Sequence, residues 1–433
     1  MNSNFQDADA TSADVRTHRS GLITLLLVTF LLGPSLTAGA GTTLGPHVLV
    51  SLLVALWFAV ANPTGLAGRD GLRVFVLALC LLALHAVVAE AVGGCQDLLT
   101  KSLGTALVLA LLLGALASSA VALPQRDPLR VCAYLLGFVL LTVVVERVYL
   151  TSSGASSMIR PSGVFLEPSH LALACSPLLI ALMLGGQRNY RLLAIAMTGG
   201  FLYLAASATL FLLIALALPV CALLMGEGQI RVLRVLGLTF AMALFGVLAW
   251  QSPFWPDFVD RLGSLGDQSV GANVSSVVYV MGWELADANL TSSAGWGLGL
   301  NRMGCFPRPF TPGVEVLDLL GLEDGNYNDG SFLVSKLLSE LGFWGPLALL
   351  LLGFQFVRMA RRVRAAGKAP VGLQSFLVAA FVCGVFGAFL RGTGYFAGPV
   401  MLAALSFFWM QALSRPMPLN AKKPSETVDG ERS

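Results

Sequence analysis

Residues 192–225 read LLAIAMTGGFLYLAASATLFLLIALALPVCALLM, an uncharged run of 34 residues. One membrane-crossing helix needs about 20 apolar residues. The run is therefore too long for one span and short for two. Arg188 and Arg191 precede it, and Arg231 and Arg234 follow it. Cytoplasmic connections gather Lys and Arg. If both basic pairs are cytoplasmic, the chain crosses twice between them and turns near Ala206-Ser207-Ala208-Thr209. An odd number of crossings would set the two pairs on opposing faces.

Working outward, apolar runs of similar length recur from Gly21 to Leu413. Only 12% of the 433 residues are charged, with a mean hydropathy of +0.77. A soluble domain carries about 25% charged residues and hydrated helix faces. The expectation is an all-α polytopic integral membrane protein of about twelve transmembrane helices, near 21–38, 45–61, 72–92, 103–123, 131–150, 169–185, 192–206, 208–225, 235–251, 337–356, 373–390 and 399–414. Residues 1–20 form a cytoplasmic tail, too polar and long for a cleaved signal, so 21 onward reads as a retained first span. Residues 21–251 hold spans one to nine, with a first outer loop at 151–168. A large loop follows at 252–335, then the last three spans at 336–414 and a disordered cytoplasmic tail at 415–433. With both termini cytoplasmic, 19 of the 27 Lys and Arg residues fall on the inner side. The net charge of +3 comes with no basic tail or Arg-rich ribbon, which argues against nucleic acid as a partner. Five of the seven cysteines lie in apolar runs. Cys95 and Cys305 lie in polar connections, where a disulfide between them is open.

The first outer loop ends in Arg160-Pro-Ser-Gly-Val-Phe-Leu-Glu-Pro-Ser-His170. Ionisable groups at a membrane edge are expensive and mark candidate sites. Arg160 stands outside against the charge bias. It reads as a fork for phosphate or carboxylate, or as a headgroup contact or local ion pair. Gly163 permits a tight turn. Glu167 precedes Pro168, which suits the first turn of a helix. Glu167 either caps that helix, orients Arg160, or binds a sugar hydroxyl. His170 shares its helical face and is either a base or an interfacial histidine bonded to a carbonyl.

The large loop is too long to be structureless. A helix is expected around 275–288, where Val277, Val278, Met281 and Leu285 recur at helical spacing. Trp283 offers a flat surface for a sugar ring or anchors at the interface. Glu284 and Asp287 share one face. Gly295-Trp-Gly-Leu-Gly299 lacks dinucleotide spacing and reads as a turn of close approach. Arg261, Arg302 and Arg391 are further clamp candidates. Asp329 either serves a turn before the next helix or faces the pocket of Arg160. Glu340, inside that helix, implies a polar partner or a pocket wall. No metal-ligand spacing and no P-loop appear, and no cofactor is expected.

These motifs, in this order, resemble the bacterial O-antigen polymerase and ligase superfamily, the Wzy and WaaL proteins. The likeness runs from about Gly21 to Leu413. It rests on Arg160 to His170, on Gly295-Trp-Gly-Leu-Gly299, and on Asp329-Gly-Ser-Phe-Leu-Val-Ser-Lys-Leu-Leu-Ser-Glu-Leu-Gly-Phe-Trp-Gly345. The resemblance implies a GT-C-like glycosyltransferase with a partly helical periplasmic loop in the bacterial inner membrane. It implies inverting transfer of glycan from an undecaprenyl diphosphate carrier, with carrier-linked oligosaccharides as donor and acceptor. Membrane lipids, a chain-length regulator and a flippase are the implied partners. Arg160 matches the arginine of the family's first functional loop and Glu167 its Glu-Pro. Asp329 falls where ligases carry a histidine, which favours a polymerase over a ligase. On this reading the catalytic candidates are Asp329, Glu167 and His170. The substrate-binding candidates are Arg160, Arg261, Arg302, Arg391, Trp283, Glu284 and Glu340. A non-enzymatic transporter is the reading outside this class. It predicts charged groups at mid-membrane rather than at one face.

Overall fold

A computed structural model describes residues 66–93, 99–122, 128–154, 160–165, 167–205, 207–226, 274–306, 309–322, 327, 330–391 and 394–415, with single positions at 256, 259 and 263. Every regular element among the described residues is helical. In chain order these are α1 (Leu66–Gly93), α2 (Leu99–Ser118) and α3 (Leu129–Ser152). They continue with α4 (Pro168–Leu184), α5 (Arg188–Ala205), α6 (Ala208–Met225) and α7 (Val274–Ser292). The last are α8 (Pro312–Leu319), α9 (Leu333–Leu341), α10 (Trp344–Ala365), α11 (Val371–Leu390) and α12 (Gly398–Ser414).

The expectation of about twelve transmembrane helices is corrected. Among the described residues five helices are long and apolar enough to cross a membrane, namely α1, α2, α3, α6 and α11. The expected spans at 21–38, 45–61 and 235–251 lie outside the described residues. The others fall short for local reasons. Helices α4 and α12 are apolar but have 17 residues each. At 1.5 Å per residue that length reaches about 25 Å, against a hydrocarbon core of about 30 Å. Helix α5 begins with Arg188 and Arg191, and Gly199 and Gly200 dilute its apolar content. The expected span at 337–356 is two helices, broken at Gly342, whose φ is +60°. The first, α9, carries Lys336 and Glu340. The second, α10, ends in Arg358, Arg361, Arg362 and Arg364.

The run 192–225 divides into two helices, but only α6 is long and apolar enough to cross a membrane, so the two crossings expected of it are corrected to one candidate span. Helix α5 ends at Ala205, and Ser207 caps α6 by accepting from the Leu210 amide at 3.3 Å. Pro168 occupies the first turn of α4, as its ring geometry favours.

Helix α11 is the centre. It is buried along nearly its whole length against α4, α6 and α12. Small residues permit this packing, since a Cβ on Gly384 would meet Ala403 and one on Gly387 would meet Leu173 at 2.8 Å. Helices α1 and α3 lie at the periphery. Leu72, Leu77, Leu81 and Leu84 on α1 and Leu141, Val145 and Val148 on α3 are more than half exposed. Such apolar faces suit lipid, not water, and the chain is a membrane-associated all-α protein.

The bundle has two chemically distinct ends. At one, Arg415 pairs with Asp70, the Lys368 ammonium donates to the Arg415 carbonyl at 2.6 Å, and Arg364 donates to the Leu224 carbonyl at 3.0 Å. At the other, the start of α4, the start of α6 and the end of α11 meet the first turns of α7.

Candidate functional site

The second end holds a cavity of about 400 Å³. Arg160, Glu167, Ser169, Ser207, Thr209, Ser275, Ser276, Tyr279 and Arg391 supply its polar lining. Pro168, Ala208, Leu212 and Leu390 supply the apolar part. Four separate stretches of chain build it. The turn before α4 brings Arg160 and Glu167. The α5–α6 corner brings Ser207 and Thr209. One face of α7 brings the serines and Tyr279, and the end of α11 brings Arg391.

The Arg160 turn is pinned from beneath. The Glu146 carboxylate on α3 accepts from the Ser162 amide at 2.8 Å and the Gly163 amide at 2.6 Å. Charge-assisted bonds of this kind are among the stronger ones available to a loop. The Ser162 hydroxyl donates to the Phe165 carbonyl at 2.6 Å and closes the turn. Gly163 has φ +65°, and a Cβ there would sit 2.5 Å from Thr142 Oγ1 and 3.1 Å from Val143 Cγ2. The glycine thus serves both a left-handed conformation and close approach to α3. Arg160, two residues upstream of Ser162, is half-buried at the cavity wall.

Glu167 faces Arg391 rather than capping its own helix. Its side chain makes no cap hydrogen bond. Arg391 forms an ion pair with it and donates from Nε to Ser169 Oγ at 3.1 Å. The Ser169 hydroxyl in turn donates to the Glu167 carboxylate at 2.8 Å. Partial burial acts to raise the Glu167 carboxyl. The Arg391 charge and the bonds from Ser169 and Arg391 outweigh it and hold the group below the ordinary carboxylate range. His170 lies in the first turn of α4, outside the cavity lining, and burial holds its imidazole below the ordinary histidine value.

Arg302 and Glu340 are not part of the cavity lining. Arg302 is wholly buried, pairs with Glu90 of α1, and contacts the Leu298 carbonyl at 3.5 Å. The Glu340 carboxylate accepts from the Asn301 amide and the Tyr395 hydroxyl, each at 2.7 Å, with the Lys336 ammonium 3.7 Å away. Gly295-Trp-Gly-Leu-Gly299 is the close-approach turn expected of it. The Leu298 amide donates to the Ser339 carbonyl of α9 at 2.9 Å, and the Gly299 amide to the Glu340 carbonyl at 2.8 Å. A Cβ on Gly297, whose φ is +84°, would meet the Glu340 carbonyl oxygen at 2.6 Å. This turn fills the break between α9 and α10. Tyr395 ties the same block to the segment that carries Arg391.

The expected helix at 275–288 is α7, with Val277, Met281 and Leu285 buried. Trp283 on α7 is 37% exposed. Glu284 accepts from the Gly313 amide at 3.2 Å at the start of α8 and is not part of the cavity lining. Asp329 and Arg261 lie outside the described residues. The segment after Asp329 reaches the cavity wall, because Phe332 stacks on Tyr279 with ring centroids 4.8 Å apart. Cys305 is disulfide-bonded, whereas Cys80, Cys175, Cys221 and Cys383 carry free thiols.

Glu146, which the sequence marks only as a group that could pair with other helices, is the one that holds the Arg160 turn. Its signal was its position near the outer end of an apolar helix, but nothing local identified the two amides it would hold. No family model matches this chain, and no curated protein matches it.

Proposed function

We propose that this protein is a polysaccharide polymerase of the Wzy and WaaL kind. It would join glycan repeat units carried on undecaprenyl diphosphate at the periplasmic face of a bacterial inner membrane. The observation that carries this reading is the cavity lined by both Arg160 and Arg391, from distant parts of the chain, with hydroxyls and with Leu212 and Leu390. Guanidinium groups suit a diphosphate, hydroxyls suit sugars, and the apolar side suits a lipid tail. The Arg and Lys residues of the opposite bundle end agree with a cytoplasmic assignment for that end. The Cys305 disulfide agrees with an oxidising compartment for the end with the cavity.

In the proposed reaction an acceptor sugar hydroxyl attacks the anomeric carbon of the donor glycan. The carbon–oxygen bond to the diphosphate breaks, and the diphosphate leaves with the electron pair. Arg160 and Arg391 stabilise the charge that develops on it. Glu167, held low by Arg391, is a weak base, so its role is to orient Arg391. Asp329 is the proposed acceptor of the hydroxyl proton.

Glycan analysis of a deletion strain tests the reading. Loss of polymer with accumulation of single carrier-linked repeat units is the expected result. Unchanged polymer would overturn it. Long carrier-linked polymer without a ligated product would transfer the assignment to a ligase.

A further inference from the structure

The cavity does not end at Tyr279. Ser275, Tyr279 and Trp283 are spaced four residues apart on α7 and so stand in line along one face of the helix. Ser275 and Tyr279 line the cavity, and Trp283 continues the row by one turn. The two rings meet edge to face at 6.4 Å. Phe332 backs both, stacked on Tyr279 at 4.8 Å and tilted against Trp283 at 4.9 Å. Trp283 nevertheless keeps 37% of its surface exposed. The row thus passes from hydroxyl to phenol to indole as it leaves the arginines.

We propose that this face of α7 is a glycan track, in which Trp283 holds a sugar ring of the chain whose reducing end lies at the arginines. The inference rests on the polymerase reading and extends it to a subsite. The C–H bonds on one face of a pyranose ring carry partial positive charge. They match the negative face of an indole, while the ring hydroxyls stay in water. Ser275 and the Tyr279 hydroxyl provide hydrogen bonds nearer the cavity. Phe332 keeps the aromatic pair from collapsing into the bundle. A subsite one helical turn from the reacting end retains a growing chain between additions, so its effect falls on chain length rather than on the first linkage.

The test compares Trp283→Leu, which keeps apolar contact with Phe332 but removes the aromatic face, with Trp283→Tyr, which keeps that face. Each is expressed in the deletion strain at matched abundance, and polymer is resolved by repeat number. For Trp283→Leu the longest chains should fall about three- to tenfold, the scale of one aromatic contact, while two-unit product persists. Trp283→Tyr should retain the wild-type distribution. A wild-type distribution for Trp283→Leu would overturn the track, as would equal loss in both variants or an equal fall in products of every length. The same gel carries Arg160→Ala. If Arg160→Ala abolishes polymer and Trp283→Leu does nothing, the track alone fails. If Arg160→Ala makes normal polymer, the polymerase reading fails.

Discussion

Replacing Gly163 by alanine should damage the site more than the size of a methyl group implies. Two costs add. At φ +65° an L-residue sits in the left-handed region, at a cost of about 1–2 kcal/mol. The new Cβ would also lie 2.5 Å from Thr142 Oγ1 and 3.2 Å from the Val143 nitrogen. The Thr142 hydroxyl donates to the Val139 carbonyl at 2.7 Å and is not free to retreat without losing that bond. Forced overpacking of this kind costs about 1–3 kcal/mol. Gly154 is the internal control. Its φ is +72°, but nothing lies within 4 Å of its would-be Cβ. Gly154→Ala therefore carries only the first cost, and the difference between the variants isolates the second. Thermal melting in detergent should place Gly163→Ala a few degrees below Gly154→Ala. Polymer assays should show Gly163→Ala impaired and Gly154→Ala active, because only the former shifts the turn that carries Arg160. If the two variants melt together and make equal polymer, the pinning of that turn against α3 is refuted.

Two further outcomes follow from the same geometry. Glu146→Ala should reduce polymer as strongly as Arg160→Ala, while Glu146→Gln, which retains an acceptor oxygen at the same reach, should recover part of it. Equal loss in both would show that the two amides are not what Glu146 serves. Glu167 has a folded-state pKa below its ordinary value, so its pairing stabilises the protein above the ordinary carboxylate range, and that contribution is lost as pH falls through the lowered value. Wild type should therefore lose more melting temperature on acidification than Glu167→Gln, and parallel curves would contradict the pairing with Arg391.

Much of the helix order was legible because the physics is local. Ser207 marked the division of 192–225 and Pro168 the start of α4, whereas the flanking arginine pairs, read as two membrane crossings, overcounted, since only α6 of the two helices is a candidate span. Helix length was harder to judge. Leu341, Phe343 and Trp344 continue an apolar run through Gly342, so composition alone hides the break that the Gly295–Gly299 turn fills. The polar content of α9 was the available warning, and Glu340 did announce a polar partner. The partners themselves were not legible. Glu167 meets Arg391 across 224 residues of sequence, and Ser102 donates to the Leu300 carbonyl across 198. Such pairs depend on how helices pack rather than on spacing. The same holds for Arg302. Its charge, read as a clamp for substrate, is buried against Glu90, whereas Arg160 and Arg391 share the cavity.

The most direct test of the central claim is the glycan profile of a deletion strain that produces Arg160→Ala at wild-type abundance in the membrane. The account predicts single carrier-linked repeat units with little or no polymer. Polymer of normal length and amount would contradict it.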